Sequence, residues 1–333
     1  MPPLTKKVST PGVSLHHLTI KTMLRVASQS FVRILALLAL SVGCLLSRAH
    51  ADLTLYGAAF SSDFFDPNNN ASTLYNINPL TGAATTIGSI GYRLVGGLAF
   101  DSSGTLYGVG ATYTNPGGGP PPVGDLTLIT VNTTTGAGSA VGTLTLGGSP
   151  LTANFQDVSF NPSTGTLYGY ASGQVYTIDK TSGVATALPN PTGETEIGGG
   201  LAFTPDGSTL YKAGFDHLFS VNTSTGGAGA VQFSPTNNQL SYPTGGTPNI
   251  TGMSYADGVL WAAVHVDDSA DSAAYLATVN TATGLITKIG DSVDGLTALA
   301  AIPEPSTYGV LAGVALVGIG MISVARRKKA IAA

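Results

Sequence analysis

Two short phrases alternate through the middle of this chain, and neither is large enough to fold alone. The first is a strand of alternating apolar and polar residues that runs into a turn ending in Thr-Gly or Ser-Gly. It occurs as Leu74-Tyr75-Asn76-Ile77-Asn78 before Thr81-Gly82, Leu128–Asn132 before Thr135-Gly136, and Val175–Asp179 before Ser182-Gly183. It returns as Leu218–Asn222 before Thr225-Gly226 and as Tyr275–Asn280 before Thr283-Gly284. Glycine supplies the positive φ that the turn needs, and the Asn or Asp three or four places earlier can fold its side chain back onto the turn backbone. The second phrase leads from Gly97-Leu98-Ala99-Phe100 to Leu106-Tyr107-Gly108, and from Asp157-Val158-Ser159-Phe160 to Leu167-Tyr168-Gly169. It recurs from Gly200–Phe203 to Leu210-Tyr211 and from Gly252–Tyr255 to Leu260-Trp261. These read as hairpins with Asp-Gly or Ser-Gly at the bend.

The turn glycines at 82, 136, 183, 226 and 284 are 54, 47, 43 and 58 residues apart. Four short strands in such a period match one blade of a β-propeller. One blade cannot bury both of its faces, so the units must stack around an axis. The last unit ends at Leu296-Thr297-Ala298-Leu299 and lacks its Leu-Tyr strand, whereas Leu53-Thr54-Leu55-Tyr56-Gly57 has no Gly-Leu-Ala-Phe before it. If the first strand completes the last blade, the ring closes and two sheet edges disappear. The expected fold is therefore all-β: a β-propeller of about five four-stranded blades closed by the N-terminal strand, with a signal helix before it and a transmembrane helix after it. An irregular six-bladed ring and an open β-solenoid are the alternatives. Residues 112–124 and 234–249, rich in Pro, Gly, Thr and Asn, read as long loops on one rim.

The ends differ in composition. Ile34 to Leu46 is apolar, follows Arg25 and Arg33, and leads to Ala49-His50-Ala51. This is the pattern of a signal peptide over 1–51, cut by signal peptidase after small residues at Ala49 and Ala51. Met23 is an alternative start, and an uncleaved anchor is the rival reading. At the other end, 302–333, Pro303-Glu304-Pro305 precedes the uncharged run 307–325, and Arg326, Arg327, Lys328 and Lys329 follow. At about 1.5 Å per residue that run makes a helix of about 28 Å, the thickness of a bilayer core. The basic cluster acts as a membrane stop on the cytoplasmic side, which leaves the body outside.

This order of elements resembles the PEP-CTERM sorting tail of Gram-negative bacteria. The resemblance implies an exosortase-type processing enzyme as partner, export, transient anchoring in the inner membrane, and delivery to a cell surface or matrix associated with exopolysaccharide and biofilm. The rival is a plain single-span anchor. The Leu-Tyr-Gly and Thr-Gly phrases are similar to the loosely defined repeats of secreted bacterial propellers, which supports the architecture and implies no activity.

From Asp52 to Glu304 the chain holds only Arg93, Lys180, Lys212 and Lys288 against eighteen acidic residues. That balance argues against nucleic acid, whose phosphates require a basic face. The one cysteine, Cys44, lies in the signal region, so the body has no disulfide and depends on burial.

Residues suited to chemistry are few. His217 and His265 fall in different units, and Glu194 and Glu196 share one loop. Neither pattern resembles a converging metal site or a facing carboxylate pair. Asp267, Asp268 and Asp271 have enough oxygen to hold Ca²⁺ but lack the glycine and terminal glutamate of an EF-hand, so a solvated acidic loop is the simpler reading. No other cofactor is implied. Asp63-Phe64-Phe65-Asp66 offers two aromatics for packing or for a partner. Tyr56, Tyr107, Tyr168, Tyr211 and Trp261 recur at one strand position, which points to inter-blade packing ahead of a sugar-stacking platform. The expected function is a non-enzymatic cell-surface or extracellular-matrix protein whose propeller binds a glycan, such as exopolysaccharide, or a surface protein. A propeller hydrolase or lactonase and a structural spacer are the alternatives.

Overall fold

The computed structural model describes residues 53–60, 71–111, 125–152, 155–193, 199–214, 218–231, 249–265 and 274–302. The expected signal peptide and, beyond Ile302, the expected sorting tail lie outside the described residues. Among the described residues no helix is long and apolar enough to cross a membrane.

The strands run in order as β1 (Leu55–Ala59), β2 (Thr73–Ile77), β3 (Ala84–Ser89), β4 (Arg93–Phe100), β5 (Leu106–Ala111), β6 (Leu126–Val131) and β7 (Gly138–Thr143). A small hairpin follows, β8 (Thr145–Leu146) and β9 (Ser149–Pro150). Then come β10 (Phe155–Phe160), β11 (Leu167–Ala171), β12 (Gln174–Ile178), β13 (Val184–Ala187), β14 (Leu201–Phe203), β15 (Leu210–Ala213), β16 (Leu218–Val221) and β17 (Ala228–Val231). The last five are β18 (Asn249–Ala256), β19 (Val259–His265), β20 (Ala274–Val279), β21 (Ile286–Asp291) and β22 (Leu296–Ala301).

They form five antiparallel blades. Blade 1 is β22-β1-β2-β3, blade 2 is β4 to β7, blade 3 is β10 to β13, blade 4 is β14 to β17 and blade 5 is β18 to β21. The first strand of each blade stands beside the first strands of both neighbours, so the ring closes. The clasp expected from the sequence is present: β1 pairs with β22, Leu55 opposite Ala301 and Gly57 opposite Leu299. Blade 3 carries an addition that the phrases do not reveal. Strand β8 lies parallel to β13, with Val184 opposite Thr145 and Ala185 opposite Leu146, and covers that outer edge.

Burial follows the seams between blades. Among the described residues five apolar clusters form, and each joins two neighbouring blades. Leu98, Phe100 and Ile129 of blade 2 pack with Ala58 and Leu74 of blade 1, and Val158, Leu167 and Ile178 of blade 3 pack with Leu128 and Val109 of blade 2. A buried leucine contributes about 1.5–3 kcal/mol, and here nearly all of that is realised only when a neighbour is present.

The Thr-Gly turns are built as their sequence requires. The five glycines have φ between 76° and 87°. In every case the Asn or Asp four places earlier accepts the backbone N–H two residues on: Asn78 from Leu80, Asn132 from Thr134, Asp179 from Thr181, Asn222 from Ser224 and Asn280 from Ala282, all at 2.8–3.0 Å. Three of these turns also set blade spacing. The outer strands of blades 1, 2 and 5 bulge at Ile87, Val141 and Ile289, which turn toward the next blade's cluster. The glycine after each bulge, Gly88, Gly142 or Gly290, lies against the next blade's turn. A Cβ added at Gly136 would stand 2.5 Å from the Gly88 carbonyl oxygen, so neither partner tolerates a side chain.

Candidate functional site

Antiparallel alternation gives the ring two distinct faces. On one, the turn face, lie the bends between the first and second strands and the Thr-Gly turns between the third and fourth. On the other, the loop face, lie the joints between second and third strands and between blades. The strand ends that receive 61–70, 112–124, 232–248 and 266–273 are all on the loop face. The two Pro- and Gly-rich segments therefore attach to one rim, as expected from their composition.

Most residues singled out in the sequence lie outside the described residues. These are Ala49, Ala51, Asp63–Asp66, Glu194, Glu196, His217, Asp267, Asp268, Asp271, the Pro303–Pro305 motif and the basic cluster 326–329. His265 is described. It is 5% exposed, and its Nε2 lies 2.7 Å from the Leu296 carbonyl oxygen of the neighbouring blade. Thr251 Oγ1 donates to the same oxygen at 2.8 Å. His265 thus serves as a tie between blades 5 and 1. Among the described residues no group of three or more His, Cys, Asp or Glu is arranged to hold a metal ion.

The aromatic positions pack between blades. Tyr56 meets Phe100, Tyr107 meets Phe160 and Tyr168 meets Phe203 edge-on, with ring centroids 5.1–5.5 Å apart. Tyr211 and Tyr255 share the cluster between blades 4 and 5. The pairing register gives the fifth member. Ala301 faces Leu55 as Phe100 faces Leu106, Phe160 faces Leu167, Phe203 faces Leu210 and Tyr255 faces Leu260. The small Ala301 sits in the same cluster as Trp261, the largest of the five second-strand aromatics. Volume removed on one side is returned on the other.

The axis is where a propeller can bring groups from several blades together, and here it is mostly closed by backbone. By register, Gly97, Asp157, Gly200, Gly252 and Ala298 are equivalent residues of the five first strands. A Cβ on Gly97 would lie 2.5 Å from Val158 N, on Gly200 2.6 Å from Met253 N, and on Gly252 2.8 Å from Leu299 N. The one charged member is Asp157. Its Oδ1 accepts the Val158 N–H at 2.8 Å, and its Oδ2 accepts the Leu201 N–H at 2.7 Å and the Met253 N–H at 3.4 Å. One carboxyl therefore holds blades 3, 4 and 5. Complete burial pushes its pKa well above 3.8, against the pull of those N–H groups and of the Lys212 charge.

Lys212 is the second departure from the repeat. It occupies the place of Gly57, Gly108 and Gly169 and is 1% exposed. Its Nζ donates to the Ala213 carbonyl and lies 4.2 Å from the Tyr170 ring centroid. The Tyr170 hydroxyl is 3.1 Å from Thr192 Oγ1. Asp157 and Lys212 are the functional-looking pair that reading the phrases one by one misses. Aligning the phrases column by column would expose both as charges in glycine positions. Their contacts are internal, and they act as polar staples of the axis.

The turn face has an open groove of about 360 Å³ on blade 5. Tyr255, Val259, Thr278, Asn280, Leu285 and Thr287 are among the residues lining it, and none of its lining is charged. It offers no acid, base or nucleophile beyond hydroxyls.

Across blades 2 and 3, Lys180 Nζ bonds Asp101 Oδ2 at 2.8 Å. Burial raises the Asp101 pKa, but hydrogen bonds from Lys180, Ser103 and the Thr105 and Ser103 amides outweigh it and hold the carboxyl at about 2.

No protein-family model matches the chain, and no curated protein matches it. Solved structures of similar shape include one from a nidogen–laminin complex, at 10% identity and a TM-score of 0.47, covering 75% of this chain and 98% of that one. An auxiliary nutrient binding protein from Bacteroides ovatus matches at 14% identity and 0.40, over 70% of this chain and 60% of its own. A protein provisionally described as a gluconolactonase matches at 14% identity and 0.42, over 74% and 80%.

Proposed function

We propose that this chain is an exported, non-enzymatic display protein, sorted by its PEP-CTERM-like tail, whose loop face binds a glycan or a surface protein. The observation that carries this reading is the contrast between axis and rim. The axial positions, where catalytic groups would have to converge, hold glycine, alanine and one carboxyl whose partners are backbone amides. The segments that interrupt the repeat join strand ends on a single face. Loops on a rigid scaffold are the usual seat of recognition.

Two experiments test it. Replacing 112–124 with a two-residue Asn-Gly turn should abolish binding of the purified body to exopolysaccharide from an exosortase-bearing bacterium while leaving thermal unfolding unchanged; unaltered binding would refute the loop-face assignment. Deleting Pro303–Lys329 should free the folded body from the inner membrane. Retention of the shortened protein there would refute sorting by the tail.

A further inference from the structure

We infer that the turn face of the ring lies toward the membrane and that the loop face points away from it. This deepens the proposed function and rests on its reading of the tail as a membrane span. Strand β22 descends beside the axis and ends at Ala301 on the turn face, where Ile302 N bonds the Thr54 carbonyl at 3.3 Å. The chain therefore leaves the ring at that face. Only residues 303–306 separate Ile302 from the apolar run that starts at Thr307. Four residues, fully extended, reach at most about 14 Å. The six residues of β22 alone span about 20 Å from one face to the other. A tether that short cannot travel around or through the ring to set the loop face against lipid.

A second observation agrees. The large apolar side chains most exposed among the described residues are Leu80, Leu146, Val184, Leu285 and Ile302. Leu80 lies in a Thr-Gly turn, and Val184 and Leu285 follow the turn glycines directly. Leu146 pairs beside Ala185 at the same end of its blade, and Ile302 is the last residue before the tail. Leu80, Val184, Leu285 and Ile302 stand at the end of the ring nearest the tether, and Leu146, although in the joint between blades 2 and 3, is held beside the Thr181–Gly183 turn of blade 3. Asp179 and Asp206 lie on the same face, so attraction to anionic lipid does not set the orientation; the tether does.

The test uses the full tail-bearing protein in zwitterionic phosphatidylcholine vesicles that carry a lipid-bound energy acceptor. Cys44→Ser removes the native thiol, and one donor dye is placed at Thr134→Cys or at Asp125→Cys. Both sites are exposed and lie beyond opposite ends of β6, Thr134 on the turn face and Asp125 on the loop face. Transfer to the membrane should be several-fold stronger from position 134 than from 125. Equal or reversed transfer would overturn the orientation. Failure of the protein to float with the vesicles would instead overturn the anchoring reading, and the orientation with it.

Discussion

Blade 1 and blades 2 to 5 reach the same four-stranded sheet by different routes. In blades 2 to 5 each strand pairs with its neighbour in sequence. In blade 1 the first two strands come from opposite ends of the repeat region, and Thr297 and Ala58 are 239 positions apart. Closing so long a loop costs entropy that a hairpin does not, so the blade 1 junction carries extra ties. Thr297 Oγ1 lies 3.2 Å from the Ala58 carbonyl oxygen and 3.0 Å from that of Val95, linking β22 to β1 and to blade 2. Blade 5 bonds the backbone of β22 as well, through Thr251, His265 and Ser254, the last repeating the bond of Ser159 to Phe203 N between blades 3 and 4. Trp261 fills the space that Ala301 leaves. The pairing of β22 with β1 has no short covalent connection to hold it, and the Thr297 hydroxyl ties it instead.

Breaking the clasp should have the largest effect. Deleting Leu53–Phe60 strips the buried Leu53, Leu55, Ala58 and Ala59 from the ring, cuts β22 off from its sheet and leaves β2 paired on one side only, with β3. The loss of at least about 5 kcal/mol is comparable to the whole stability of a domain, and thermal unfolding should lose its cooperative transition. Trp261→Ala should cost about 3–5 kcal/mol in denaturant unfolding. At the contiguous seams Asp157→Ala should cost about 2–3 kcal/mol, because the Leu201 and Met253 N–H groups lose their buried acceptor. Ala301→Phe alone should overpack the closing seam by about 1–3 kcal/mol, while Trp261→Tyr with Ala301→Phe restores the arrangement of the other seams and recovers most of that loss. Strict additivity in this cycle would show that the two residues do not share one space.

The smallest effect belongs to Asp101→Asn, about 1 kcal/mol, because its partner Lys180 is partly exposed. Its pH dependence has a definite sign. The folded pKa of Asp101 is about 2 against an ordinary 3.8, so its contribution is complete above about pH 4 and is lost as pH falls toward 2. The Lys180 pKa is raised, chiefly by its hydrogen bond to Asp101, so on that side the bridge persists up to about pH 10.5 and is lost above. Unfolding midpoints of wild type and variant should converge in acid; a constant gap down to pH 2 would count against the bridge.

Much of this arrangement is legible in the sequence. The phrases carry their own turn chemistry, and the orphan Leu-Tyr strand at one end fits the missing strand at the other. The recurrence of Tyr56, Tyr107, Tyr168, Tyr211 and Trp261 identifies them as packing residues, because a ligand platform would not need one in every unit. The harder features are those that depend on two distant pieces meeting. Gly88, Gly142 and Gly290 each fall six residues after a turn glycine, but their purpose emerges only when the next blade's turn lies on them. Strand β8 looks like part of a linker until β13 is seen beside it. Asp157 and Lys212 look like ordinary drift when each phrase is read alone; aligning the phrases marks them as charges in glycine positions, and burial reveals their weight.

The composite sheet of blade 1 also has a bearing on timing. Strand β1 is the first part of the ring to be synthesised, and its partner β22 is the last, completed just before the tail. A chain threaded through a membrane pore, as proposed for this one, would carry an unmatched leading strand for the whole journey. The circle could be completed only when the final segment had crossed, at the moment the hydrophobic stretch behind it entered the lipid.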